Sequence, residues 1–125
     1  MATLKSFTDI PQSKKLAEIL SPESADVIWD LTNPDLPTIR AIPYEDSDYN
    51  NKYLNIIAAW SLTALLGVLN EIKPLVYTPI LFPSEGKWIL QFAEYGHGNI
   101  CEVTCDNPVD ACYEMILKLN ELKML

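Results

Sequence analysis

Apolar side chains recur at steps of three and four residues near both ends of the chain, the spacing of a helix with one buried face. Near the N-terminus this pattern follows a start signal in which Thr8 or Asp9 can cap and Pro11 suits the first turn. It predicts a helix over residues 11–20. The C-terminal stripe follows Asn107-Pro108 and consists of Val109, Cys112, Met115, Ile116, Leu119 and Leu122. It predicts a last helix that runs almost to the C-terminus.

A third apolar segment lies in the middle of the chain. Residues 61–70 are almost wholly apolar after a capping Ser61, and Lys73-Pro74 cannot continue a helix. A helix with so few polar positions must be buried on most sides. The segment therefore predicts a central helix over residues 61–70.

The strand signals are alternating or β-branched runs separated by turn residues. The start signal Ser21-Pro22-Glu23-Ser24 predicts one helical turn before a strand over 26–32, and a second strand is predicted over 37–43. Residues 75–82 and 87–95 flank Pro83-Ser84-Glu85-Gly86, where the glycine supplies the positive φ that a hairpin loop needs. Trp88, Leu90 and Phe92 should face the core in the second arm, and residues 100–105 should extend this meander.

These elements follow one another as helix, two strands, helix, three strands and helix. We therefore expect an α+β fold in which an antiparallel sheet of about five strands carries three helices, packed mainly on one face. A chain of 125 residues with 49% hydrophobic residues has the size and apolar content of one domain, spanning residues 1–125.

The charge of the chain narrows the classes of partner. Seventeen acidic against nine basic residues give a net charge of -8, which repels phosphate backbones and disfavours nucleic-acid binding. The longest apolar run, residues 56–69, is interrupted by polar residues and glycine, so no membrane span is expected. The first seven residues lack the pattern of a secretory signal, which favours a cytoplasmic location.

The residue types best suited to catalysis or to metal or phosphate binding do not form a recognisable site. Cys101 and Cys105 would lie about 13 Å apart on one strand, too far to share an ion, and Cys112 with His97 does not complete a zinc pattern. His97 has no local signature of a nucleophile beside it. The glycines do not form a phosphate-binding loop. We therefore expect no catalytic, metal or cofactor-binding residue.

The segment from Tyr44 to Tyr53 is the polar exception in the chain. Its carboxylates resemble a cation-binding loop, but Asn51 and Ile57 occupy the positions where a regular calcium loop needs glycine and glutamate. Tyrosines ringed by polar groups are typical of transient interfaces. The segment therefore predicts a contact loop for a protein partner. Its candidate contact residues are Tyr44, Glu45, Asp46, Asp48, Tyr49 and Tyr53.

Three stretches carry a resemblance to a known group of proteins. They are IPQSKKLAEILSPESADVIW at 10–29, AWSLTALLGVL at 59–69 and DNPVDACYEMILKLNELKML at 106–125. The chain resembles a family of small hypothetical proteins of gut anaerobic bacteria and their phages or mobile elements. The resemblance implies a bacterial or phage origin and an accessory role, and it assigns no functional residue.

Three functions are compatible with these observations. A non-enzymatic interaction or accessory module is favoured, because the sequence specifies a hydrophobic core clearly but contains no set of residues that together indicate a catalytic site. A small enzyme or ligand-binding protein would need a site assembled from dispersed acids and tyrosines. An acidic inhibitor that mimics nucleic acid would need its carboxylates in a row on one surface.

Overall fold

The computed structural model describes residues 5–41, 55–72, 77–94, 96 and 98–125. Over these residues the chain forms three α-helices and six β-strands, with a 3₁₀ turn at Pro22–Ser24. In chain order the elements are α1 (Ile10–Ala17), β1 (Val27–Asp30), β2 (Thr38–Ala41), β3 (Ile56–Ala59), α2 (Leu62–Asn70), β4 (Tyr77–Ser84), β5 (Lys87–Glu94), β6 (Gly98–Cys105) and α3 (Pro108–Glu121).

The helices begin at the capping residues that the sequence indicates. The Asp9 carboxylate accepts a hydrogen bond from the Gln12 amide at 2.8 Å, and the Gln12 side chain accepts one from the Asp9 amide at 3.1 Å. Asn107 caps α3 by accepting from the Asp110 amide at 2.8 Å. These bonds satisfy amide groups that a helix leaves unpaired in its first turn. The predicted helix starts are confirmed, although α1 ends at Ala17 rather than at residue 20.

The first sheet is small and antiparallel, with the strand order β2-β1-β3. Trp29 lies at its centre, opposite Ile39 on one side and Ile57 on the other. The Trp29 indole nitrogen donates to the Thr8 carbonyl at 2.9 Å, and its ring meets Phe7 edge-to-face at 5.8 Å. β3 was not among the predicted strands, because its four residues belong to the apolar run that leads into α2.

The second sheet is a meander with the strand order β4-β5-β6, as predicted. Glu85 and Gly86 connect its first two strands with φ angles of 52° and 79°. The glycine has the predicted positive φ, and the loop is shorter than predicted because Glu85 also adopts the left-handed conformation. Leu90 and Phe92 are fully buried, whereas Trp88, the third residue predicted to face the core, is half-buried.

The expectation of one five-stranded sheet with its helices on one face is wrong. The described strands form two separate three-stranded sheets, and α1 packs against β3 of the first while α3 packs against β5 and β6 of the second. Pro79 and Pro83 lie in β4, an edge strand, and proline has no N–H to donate to a further strand. At the other edge, the Lys118 ammonium donates to the Glu102 carbonyl of β6 at 3.2 Å. Both edges are thus partly closed to pairing.

One hydrophobic core joins the two sheets and the three helices. The Trp60 side chain, which follows β3, is completely buried in it. α3 contributes one face along its whole length, and α2 contacts both α3 and β4. The largest fully buried side chains include Trp60, Phe92, Leu16, Leu65, Leu69, Leu90, Met115, Ile116 and Leu119. The α+β class is therefore confirmed.

Candidate functional site

The predicted contact loop lies outside the described residues. Tyr44, Glu45, Asp46, Asp48, Tyr49 and Tyr53 all fall between residues 42 and 54. On either side of this segment, β2 ends at Ala41, and the Asn55 carbonyl accepts a hydrogen bond from the Leu31 amide at 2.7 Å. The assignment of a contact surface to these tyrosines and acids stays a prediction.

A groove along α2 is a concave surface within the described part of the chain. It has a volume of about 390 Å³ and lies between the 3₁₀ turn with the residues that follow it and one face of α2. The residues that line it are Glu23, Ser24, Ala25, Asp26, Thr63, Ala64, Gly67, Val68 and Glu71.

Hydrogen bonds fix the two walls of the groove to each other. The Asp26 carboxylate accepts from the Ser61 amide at 2.9 Å and also from the Ser61 hydroxyl. The same Ser61 Oγ caps α2 by accepting from the Ala64 amide at 3.2 Å. At the buried side, the Trp60 indole nitrogen donates to Ser24 Oγ at 2.9 Å. These bonds hold the two walls of the groove together.

Gly67 forms an opening in the α2 wall of the groove. It lies in the interior of the helix and is exposed, and a Cβ built on it meets no other atom within 4 Å. Glycine costs about 1 kcal/mol relative to alanine in a helix interior. Neither a tight packing contact nor a positive φ explains its presence here, so this part of the helix backbone is left open to approach from outside.

The described residues that line the groove carry charge of one sign. Three of them are exposed carboxylates, those of Glu23, Asp26 and Glu71, and none of the described lining residues is a lysine or arginine. Within the described ranges, none of these three acids takes part in an ion pair. The groove therefore combines small uncharged residues on α2 with a negative rim.

A second hollow of about 290 Å³ continues the groove, since Val68 and Glu71 line both. Ile72, Met124 and Leu125 complete its lining. The chain reaches this position through a turn that ends α3, in which the Met124 amide donates to the Leu119 carbonyl at 2.9 Å. The hollow adds aliphatic surface to one end of the groove.

The outer face of the second sheet is a different apolar surface. Strand register places Phe82 opposite Ile89, and Ile80, which is 43% exposed, opposite Gln91. The side-chain amide of Gln91 donates to the Glu102 carboxylate at 2.8 Å on the same face. This face has apolar area, but its polar groups bond to one another and give no charge pattern that would select a partner.

The three cysteines contribute to packing rather than to a reactive centre. Burial raises the pKa of the Cys112 thiol to about 12, and the neighbouring Cys105 adds to the shift. Burial and the nearby Glu114 also raise the pKa of Cys105. A thiol reacts as its thiolate, so both residues are poor nucleophiles near neutral pH. His97, the other residue considered for chemistry, lies outside the described ranges.

A polar cluster ties the starts of α1 and α3 together. The Lys5 ammonium donates to the carboxylates of Asp9 and Asp110 at 3.0 and 2.8 Å, and the side-chain amide of Gln12 also donates to the Asp110 carboxylate at 2.8 Å. Burial works against the charge of Asp110, but these hydrogen bonds and that from Asn107 outweigh it and lower the pKa of Asp110. Since its donors and acceptors are matched, the cluster stabilises the fold.

Comparison with protein-family models, with curated proteins and with solved structures gave no match. Across the ranges that the structure describes, no helix is long and apolar enough to cross a membrane. The same ranges contain no group of three or more His, Cys, Asp and Glu side chains placed to hold a metal ion. The geometry of the groove is therefore the main guide to function.

Proposed function

We propose that this protein is a non-enzymatic interaction or accessory module of bacterial or phage origin, and that it binds a partner protein in the groove along α2. The observation that carries this proposal is the exposed Gly67 in the wall of a preformed groove. A glycine costs helix stability at this position, but it lets the backbone of another chain come close.

The hydroxyl groups of Ser24, which lines the groove, and of Ser61, which precedes α2, make hydrogen bonds within the fold. Ser24 Oγ donates to the Ser21 carbonyl at 2.7 Å and accepts from Trp60, so its bonds are used to hold the wall. The Ser61 hydroxyl is engaged with Asp26 and with the start of α2. A serine nucleophile needs a neighbouring base that takes its proton and a third group that orients the base. Among the described residues, those that line the groove do not include a histidine or lysine for that role.

The alternative of a nucleic-acid mimic is less well supported. Such a mimic needs a long row of carboxylates that are free to imitate phosphates. Several acids of the described chain are instead neutralised by ion pairs with lysine or arginine. They are Asp9, Glu18, Asp30, Asp106 and Asp110.

Affinity capture with a groove-filled variant tests this proposal. Gly67→Gln places a long side chain in the groove and suits a helix better than glycine, so it should fold and lose the partner. Thr104→Gln introduces the same side chain at an exposed position of β6 and should retain it. The partner would be captured from cells that carry the gene, identified by mass spectrometry and tested again as a purified protein. Equal capture by both variants would contradict the groove assignment.

The predicted contact loop gives a second variant for the same assay. Replacement of Tyr44, Tyr49 and Tyr53 by serine should weaken partner capture by tenfold or more if these tyrosines are contact residues. The melting temperature should then move only slightly. A loss of stability with unchanged capture would identify the tyrosines as packing residues.

A further inference from the structure

Resting on the proposed function, we infer that the occupant of the α2 groove is a basic amphipathic helix of the partner protein. Its aliphatic face lies along α2 and fills the hollow at Ile72 and Met124, and its lysine or arginine side chains meet the acidic rim. Three features of the groove support this choice of occupant: the charge of its described lining, the lack of a free sheet edge in its described walls, and its length.

Charge selects the sign of the partner. The charged residues among the described lining of the groove are Glu23, Asp26 and Glu71, all acidic, on a chain with a net charge of -8. An acidic segment would be repelled both by the rim and by the molecule as a whole. Exposed ion pairs add little affinity, but complementary charge steers association and excludes partners of the wrong sign.

The walls of the groove favour a helix over an extended segment. An extended peptide needs a free sheet edge to satisfy its backbone N–H and C=O groups. The described walls are instead one face of α2, whose backbone bonds are internal, and the 3₁₀ turn with Ala25 and Asp26, which precede the central strand β1 and are not a free sheet edge. A helix brings its backbone bonds with it, so it can lie on such a surface without leaving them unsatisfied.

The dimensions and the apolar lining fit a short helix. From Thr63 to the end of α2 at Asn70 the groove follows the helix for about 10 Å, which corresponds to about two helical turns of a partner, and the adjoining hollow continues past the helix end to Ile72. Gly67 lies near the middle of this stretch and allows close approach of the two helices. Val68 and Met124 give aliphatic surface for anchors spaced three and four residues apart.

Synthetic peptides of about three helical turns test the inference. One peptide has leucines at helical spacing and lysines on the flanks of the leucine stripe. In a second the lysines are replaced by glutamates, and in a third the order is scrambled so that the stripe is lost. Titration is followed by fluorescence anisotropy at several salt concentrations. We expect the lysine peptide to bind at least tenfold more tightly than either of the others and to weaken as salt is added.

Charge-reversed variants locate the binding surface. Glu71→Lys and Glu114→Lys change the net charge equally, but only Glu71 lines the groove, and Glu114 is exposed elsewhere. Glu71→Lys and Gly67→Gln should each weaken binding of the lysine peptide by about tenfold, whereas Glu114→Lys should leave its affinity unchanged. The double variant Glu23→Lys/Glu71→Lys should bind the glutamate peptide better than the wild type does. Equal weakening by Glu71→Lys and Glu114→Lys would show non-specific attraction and overturn the inference.

The natural partner separates this inference from the proposed function. If Gly67→Gln abolishes capture and the contact segment of the partner is extended, uncharged or acidic, the groove is an interaction site and the basic helix is wrong. If Gly67→Gln leaves capture unchanged, both proposals fail. A basic helical contact segment that is lost with Gly67→Gln supports both.

Discussion

Replacement of Gly67 by alanine should make the protein more stable. Gly67 lies in the interior of α2, where the helix restricts a glycine more than any other residue because glycine has the most freedom in the unfolded chain. A Cβ at this position meets nothing within 4 Å. The substitution therefore reduces the conformational entropy that the backbone loses on folding, and it adds no steric clash to the folded state.

The magnitude follows from helix propensity alone. Glycine is less favourable than alanine in a helix interior by about 0.5–1 kcal/mol. No packing is gained or lost, so the free energy of unfolding should rise by the same amount. For a chain of 125 residues this corresponds to an increase in melting temperature of about 2–6 °C.

Urea and thermal unfolding, followed by circular dichroism and tryptophan fluorescence, measure this change. Gly86→Ala is the matched control, because a Cβ at Gly86 also meets nothing within 4 Å but the residue has a φ of 79°. Alanine there is forced into the left-handed region and should lower stability by about 1 kcal/mol. Opposite signs for the two variants would isolate the backbone effect. A Gly67→Ala protein that is less stable than the wild type would refute the reasoning, because it would mean that the fold itself needs glycine at this position.

Three further predictions concern the rest of the molecule. Hydrogen bonds lower the pKa of Asp110 in the folded state, so its carboxylate stabilises the fold fully above the unfolded pKa near 3.8, and this stabilisation is lost as pH falls through the folded pKa. Asp110→Asn should lower the free energy of unfolding by about 1 kcal/mol at pH 7, and urea unfolding should show that this free energy depends less on pH between pH 5 and 2. Iodoacetamide should leave Cys112 unmodified until the protein unfolds, as mass spectrometry would show. A chain that ends at Cys105 lacks α3, whose four largest fully buried side chains contribute about 6–12 kcal/mol, and it should show no cooperative melt.

Local signals predicted most of the secondary structure. Asp9 and Asn107 mark helix starts within one residue, because the capping bond is made between neighbours in sequence. The hairpin turn at Gly86 was predicted for the same reason. Each of these features depends on a few adjacent residues, so no knowledge of the rest of the fold was needed.

The division of the strands into two sheets could not be predicted in this way. β3 consists of Ile56–Ala59, four apolar residues at the start of a longer apolar run. In such a run every position is apolar, so neither the two-residue repeat of a strand nor the 3.6-residue repeat of a helix can be recognised. Its identity as a strand comes from pairing with β1, where Val27 lies opposite Ala59. Such pairs are distant in sequence, and the pattern of either strand alone does not name its partner. Because β3 was absent from the prediction, the five predicted strands were assigned to one sheet.

The groove could not be predicted from local sequence patterns either, with the exception of one residue. Its walls come from segments about forty residues apart, and bonds such as that between Asp26 and Ser61 bring them together, so no pattern of neighbouring residues indicates the groove. The exception is Gly67. In a strongly apolar helix it is the one residue that local preference argues against, and neither packing nor backbone conformation compensates for it. Sites where a sequence departs from its own structural preferences without a gain in the fold are where functional constraint is expected. A gain in stability for Gly67→Ala, together with loss of the partner for Gly67→Gln, would assign that constraint to binding, because the same backbone position would then weaken the helix and admit the ligand.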